Sequence, residues 1–251
     1  LLEAFRLYAP KGASFVHVST NKVYGDGPNH VKMFEHKTRY DVCPTHRLRR
    51  VDESQTGLTG LTGRGCAEDF PVDQCMHSLF GASKLSADSM AQEYGRYFGL
   101  NVGVFRGGCL TGPTHAGVEL HGFLSYIVKC AMMELPYTIF GYKGKQVRDQ
   151  IHSKDVVTAF EAFIENPRPG EVYNIGGERK NSASILEIID LIEEISGKRL
   201  QFTLSDEARK GDHIWYISDM SKFRSHFPDW NPQFTLRDMV SEMIETHKAA
   251  K

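Results

Sequence analysis

Two short segments about sixty residues apart carry groups suited to chemistry: Ser19-Thr20-Asn21-Lys22-Val23-Tyr24-Gly25-Asp26 and Phe80-Gly81-Ala82-Ser83-Lys84. The apolar run Ser14 to Val18 leads into the first segment. It sets the Thr20 hydroxyl at the end of a buried strand, where open α/β sheets build their sites. The second segment opens a long helical stretch and carries Lys84. Farther along, Arg148 and Arg209 are suited to phosphate, because a guanidinium makes bidentate hydrogen bonds that an ammonium cannot imitate. On residues alone, an Arg148–carboxylate bridge that orders a loop fits equally well. His77 precedes Phe80 by three residues, and its ordinary pKa suits acid–base work. A lone histidine at a helix start has no such duty more often than not.

These residues need a scaffold of strands alternating with helices. Leu1 to Tyr8 reads as the end of an amphipathic helix, stopped by Pro10 and Gly12. Ser14 to Ser19 reads as a strand, and residues 26–76 as a long irregular stretch. Within that stretch, residues 52–67 read equally as a mobile surface insertion near the site or as a disordered linker. Ser78 to Phe98 is a helix with Leu79, Leu85, Ala87, Met90, Ala91, Tyr94 and Phe98 on its apolar face. Strands are expected at 101–106, 137–140, 171–175 and 200–204. Helices are expected at 123–133, 153–165 (capped by Ser153 or Asp155), 184–196 and 236–248. The alternation predicts an α/β fold with a mostly parallel sheet.

The bulk numbers leave the function class open but close some doors. Lys and Arg total 30 against 31 Asp and Glu, a formal net charge of -1. No global field points to nucleic acid or to an anionic membrane. No apolar run is long enough to span a bilayer. The 5 cysteines are odd in number and scattered, which argues for a reducing, cytoplasmic compartment rather than a disulfide framework. Cys43-x-x-His46 and Cys75-x-His77 fit no standard zinc spacing.

Taken in order, the motifs resemble the extended short-chain dehydrogenase/reductase family, in its nucleotide-sugar epimerase and dehydratase group. Beyond the two opening segments, the resemblance rests on Arg148-Asp149-Gln150-Ile151-His152-Ser153-Lys154-Asp155, Tyr173-Asn174-Ile175-Gly176-Gly177 and Arg209-Lys210-Gly211-Asp212. The segments Phe105 to Pro113, Leu120 to Leu124 and Gly141 to Asp149 resemble the CDP-paratose 2-epimerase branch more closely. The resemblance covers nearly the whole chain. It implies a partial Rossmann-type doubly wound sheet over residues 1–115. Residues 116–251 are then mainly a nucleotide-sugar-binding region with returns to that sheet. It implies NAD as cofactor, a CDP-hexose as substrate, and epimerisation at C2 through transient oxidation to a keto sugar. Thr20 and Lys84 match the family's catalytic hydroxyl and lysine, with Ser19, Thr20 and Lys84 bordering the cofactor. Gly108, His121, Phe123, Arg148 and Arg209 border the substrate, the two arginines as a diphosphate clamp. His152 and Asp155 are expected to hold a loop and cap a helix. By analogy, helices 78–98 and 123–133 form a homodimer bundle.

The resemblance departs from the family pattern at two points. Phe80 stands where the family has its catalytic tyrosine, and a phenyl ring cannot accept a proton. Either Tyr24, His77 or a water held by Thr20 serves as base, or the step is not catalysed. That second case is a non-catalytic nucleotide-sugar-binding homologue. In addition, no Gly-x-x-Gly-x-x-Gly turn follows an early strand. The chain opens on Leu1 in mid-element, so a fragment with weak NAD binding of its own is expected. A dehydratase is disfavoured, because Asn21-Lys22 rather than Asp-Glu follows Thr20.

Overall fold

The computed structural model describes residues 1–42, 60–119, 121–209 and 211–249. The fold is α/β, as expected from the alternation. A parallel three-stranded sheet has the order β1 (Ser14–Thr20), β4 (Asn101–Gly107), β8 (Glu171–Ile175). Thr20 lies opposite Gly107, and Gly107 opposite Ile175, so the C-terminal ends of the three strands are level. Between β1 and β4 the chain runs through helix α1's neighbour, the long helix α2 (Leu79–Phe98), while α1 itself (Leu2–Tyr8) precedes β1. β8 thus returns from the second half of the chain to complete the first sheet.

A second sheet is centred on β7 (Val147–His152), which pairs with β5 (Cys109–Thr111), β11 (Trp215–Tyr216) and β9 (Ser182–Ser184). All six residues of β7 are buried. β6 (Tyr137–Phe140) pairs with β10 (Phe202–Ser205) in parallel. Met33–Glu35 (β2) and Tyr40–Val42 (β3) form a short antiparallel hairpin inside the stretch expected to be irregular. Among the described residues, no helix is long and apolar enough to cross a membrane.

Helix α2 begins at Ser78, whose hydroxyl accepts from the Gly81 amide at 3.1 Å. Its packed face differs from the expected one. The buried residues are Gly81, Asp88, Ala91 and Gly95, whereas Leu79 and Met90 are exposed. The reason is close approach: a Cβ on Gly95 would lie 2.3 Å from the Gly170 amide nitrogen. Small residues, not large apolar ones, set that interface.

Helix α3 (Phe123–Met133) turns its apolar face into the body of the protein. It packs between α5 (Ile185–Ser196) and α7 (Leu236–Ala249), with Leu124, Ile127, Val128, Ile188, Ile192 and Met243 in one core. Ser184 and Glu187 close a reciprocal capping box on α5, and Gly197 ends it at φ 69. The Ser184 side chain is buried, so Ser184→Ala is expected to cost about 1–2 kcal/mol in urea unfolding.

The insertion read at 52–67 needs correcting over 60–67. Leu61 and Cys66 are buried, and the Cys66 amide donates to the Ile217 carbonyl at 2.8 Å. Backbone pairing to a core strand's extension holds this turn against the body. Residues 52–59, like the Cys43-x-x-His46 spacing, lie outside the described residues.

Candidate active site

The level strand ends open onto a cavity of about 590 Å³. Thr20 closes β1 and caps the turn Asn21–Tyr24, its Oγ1 accepting from the Lys22 amide at 3.3 Å. Phe80 and Lys84 face the same cavity from the first turns of α2. The Lys84 ammonium donates to the Val18 carbonyl at 2.8 Å, which ties the helix to the strand that carries Thr20. Phe80 is 56% exposed. Gly108, His121, Phe123, Arg148 and Arg209 complete much of the remaining wall. A smaller recess of about 100 Å³ adjoins it, lined in part by Phe123, Phe140, Gln146, Arg148 and Arg209.

Residues expected from the sequence at the substrate end therefore meet in one place. Arg209 lies over the Phe140 ring, with its guanidinium carbon 4.9 Å from the centroid, and donates to the Glu119 carbonyl at 2.6 Å. Arg148 is buried and donates to the Asp212 carboxylate at 2.6 Å and to the His213 carbonyl. The carboxylate-bridge alternative for Arg148 is thus real in this structure, and it sits inside the cavity rather than away from it. Lys22 joins the same cluster, donating to the Gly211 carbonyl at 2.9 Å and lying 3.5 Å from Asp212. Burial would push the Asp212 carboxyl up, but Arg148 and Lys22 outweigh it and hold it well below the usual carboxylate range. Burial and the neighbouring Arg148 charge push the Lys22 ammonium down. Burial drives the Cys109 thiol up to about 11, so it stays protonated near neutral pH.

Two proposed substitutes for the missing phenol are not in the cavity. The His77 Nε2 lies 2.8 Å from the Val23 carbonyl, an arrangement that places a proton on that nitrogen and turns the ring away from the site. Tyr24 is fully buried behind the strand, where its hydroxyl donates to the Asn174 Oδ1 at 2.7 Å. Burial also drives its pKa upward, against service as a base. Ser19 borders the cavity, yet its hydroxyl is committed to Asp88 at 2.6 Å. His152 and Asp155 are structural. The His152 Nδ1 caps helix α4 (Ser153–Glu165) by accepting from the Lys154 amide at 3.1 Å, a role expected of Ser153 or Asp155. Asp155 instead accepts from the Gln233 and Phe234 amides at 2.8 and 3.2 Å.

Among the cavity-wall groups that sequence reasoning left without a role are Lys22, Asp212 and Gln150. Lys22 and Asp212 lay within motifs already singled out, and only their opposite charges hinted at a pairing across the fold. Gln150 carried no signal at all in one dimension.

The NAD dependent epimerase/dehydratase family model matches residues 57–176. CDP-paratose 2-epimerase of Salmonella typhi is 32% identical over 252 residues, spanning 98% of this chain and 68% of the relative. dTDP-glucose 4,6-dehydratase of Escherichia coli is 28% identical over 262 residues, spanning 99% of this chain and 64% of the relative. The fold superposes on a tyrosine-to-phenylalanine mutant of UDP-glucuronic acid 4-epimerase from Bacillus cereus, in complex with UDP-4-deoxy-4-fluoro-glucuronic acid and NAD. That likeness has a TM-score of 0.70 and 25% identity, over 100% of this chain and 66% of the other. This chain spans about two thirds of the length of the relatives it matches. With the strand-end hydroxyl, the helix lysine and the paired arginines in one cavity, and with these matches along nearly its whole length, the chain belongs to the NAD-dependent epimerase/dehydratase family.

Proposed function

We propose that this protein binds a nucleotide sugar and NAD and epimerises the sugar by transient oxidation, with a CDP-hexose as substrate and C2 as the carbon changed. One observation carries the binding half of this reading. Among the described residues, four cationic side chains, Lys22, Lys84, Arg148 and Arg209, line the cavity against the single carboxylate of Asp212. An excess of positive charge in a half-buried cleft favours an anion such as a diphosphate. The choice of CDP and of C2 rests on the likeness to CDP-paratose 2-epimerase.

The residues present fit the nicotinamide end of the cofactor. Thr20 offers a hydroxyl whose Oγ1 donates to Asn21 Oδ1 only at 3.5 Å and is poorly held, and Lys84 offers donors beside it. When bound, NAD supplies a hydride acceptor that can return what it takes. The chain's own share is positional. Thr20 hydrogen-bonds the sugar hydroxyl that is to be oxidised. Lys84 places positive charge beside the position where a proton is released. Arg209 and Arg148 hold the diphosphate, so the sugar alone is free to turn. Phe80 leaves the proton without an acceptor on α2.

That last point favours a second reading, in which the cavity binds the nucleotide sugar without turning it over. Calorimetric titration with CDP-glucose, with and without NAD, followed by NMR of the recovered sugar, separates the two. Binding with a change at C2 supports the epimerase; binding with unchanged sugar supports the binding protein; no binding overturns both. In the same titration, Arg209→Ala is expected to weaken CDP-glucose by about 1.5–3 kcal/mol, roughly 10–150-fold in Kd. Unchanged affinity removes Arg209 from the clamp.

The homodimer reading rests on α2 alone. Leu79, Met90 and Tyr97 form an exposed stripe along it, 93%, 54% and 79% accessible.

A further inference from the structure

Strand β7 alternates its side chains between two environments. Asp149 points away from the cavity and accepts from the backbone amides of Glu178 and Ser218 at 3.0 and 3.1 Å. Arg148 and Gln150 both reach the cavity wall. Gln150 has no exposed surface, and neither its amide nitrogen nor its amide oxygen has a hydrogen-bond partner among the described residues. Leaving a buried donor and a buried acceptor unmet costs on the order of 1–3 kcal/mol each, and most such groups in folded proteins do find a partner. Thr111, on the adjacent strand β5, repeats the pattern. It is buried, lines the same cavity, and its hydroxyl is also unpaired.

The position of these groups says what kind of ligand they suit. Gln150 lies opposite Cys109 in the β5–β7 pair, just past the Gly107 that lies opposite Thr20. It lines the same cavity as Thr20 and, two residues along β7, as Arg148. An amide and a hydroxyl are neutral and offer both donors and acceptors. A phosphate, which presents acceptors only, could take the two donors but would leave the amide oxygen unmet. The set suits a row of alcohols, each of which donates and accepts.

We propose that Gln150, assisted by Thr111, recognises ring hydroxyls of the sugar in a nucleotide-sugar ligand and so sets which sugar the cavity takes. This rests on the nucleotide-sugar reading above. A site that pairs its buried polar groups with a ligand hydroxyl rejects ligands lacking that hydroxyl strongly, because the protein groups are then left unmet.

The test compares CDP-glucose with CDP alone, titrated into the protein and into Gln150→Leu. The expected result is a rise of at least tenfold in the Kd for CDP-glucose, with the Kd for CDP unchanged. Thr111→Val is expected to move in the same direction by a smaller factor. Loss of both ligands to the same extent, or no loss of either, overturns the assignment and leaves buried water as the partner of the amide. If the unaltered protein binds neither compound, the nucleotide-sugar reading itself fails, and the two failures are thereby told apart. Should Gln150→Leu not fold, Gln150→Met keeps the length of the side chain and is titrated in its place, with the same outcomes.

Discussion

Phe80→Tyr is expected to raise NAD-dependent interconversion of a CDP-hexose by roughly 10²–10⁴-fold, the range that a well-placed proton acceptor contributes. The structure favours a large effect for three reasons. Phe80 is more than half exposed and faces the cavity, so a para hydroxyl enters open space rather than the core. Lys84 lies one helical turn farther on, on the same face of α2 and in the same cavity, where its charge would stabilise a phenolate. Finally, His77 is held on the Val23 carbonyl and Tyr24 on Asn174, which leaves neither as a competing base. Turnover is followed by NMR of the sugar at saturating NAD. A fall would show that Phe80 packs against a different acceptor already at work. An unchanged rate would show that the proton is not taken at this position.

Removing Asp88 is expected to be the most damaging single change to stability. Its carboxylate is fully buried and accepts from Arg106 at 3.0 and 3.1 Å, from Ser19 at 2.6 Å and from Gln92 at 2.6 Å. Burial pushes the carboxyl up, but the hydrogen bonds and charge of Arg106 outweigh it and keep it below the usual range. Asp88→Ala strands a guanidinium in the interior, and a broken buried pair costs about 3–5 kcal/mol. Urea unfolding should show a lower midpoint with little change in slope. A loss below about 1 kcal/mol, the scale of an exposed ion pair, would mean that water reaches Arg106. The double variant Asp88→Leu with Arg106→Met is expected to recover much of the loss, because no lone charge remains. The same pair joins α2 to β1 and β4, so the single variant should also loosen Thr20 and Lys84 relative to each other.

Several elements were legible from the pattern of apolar residues and their end signals. The helices at 123–133 and 153–165 and the strands at 137–140 and 171–175 match the observed limits. The short strands were not. β9 and β11 have three and two residues and exist only because β7 offers them a partner. The β2–β3 hairpin turns through His36 to Arg39 without a glycine or proline to mark it. At the site, charge was legible and direction was not. Arg148 and Arg209 stood out by charge, but residue type alone left Arg148 open between a phosphate and a carboxylate, and it is bonded to the Asp212 carboxylate. His77 looked well spaced for the cavity, but its ring turns to a backbone carbonyl that no spacing reveals. Gln150 stands out only through what it fails to bond, a property of three dimensions.

The carboxylate of Asp212 stands 2.6 Å from Arg148, on the guanidinium proposed to hold a diphosphate. It is covalently part of the chain, so it competes at a fixed and high local concentration. A ligand must evict this tethered rival on arrival, and the rival reclaims its place whenever the ligand's grip slackens. Affinity is thereby held below what the cationic lining alone could reach, and departure is quickened. If the cavity takes sugar nucleotides as proposed, such a built-in understudy keeps it from being silted up by the one it has just held.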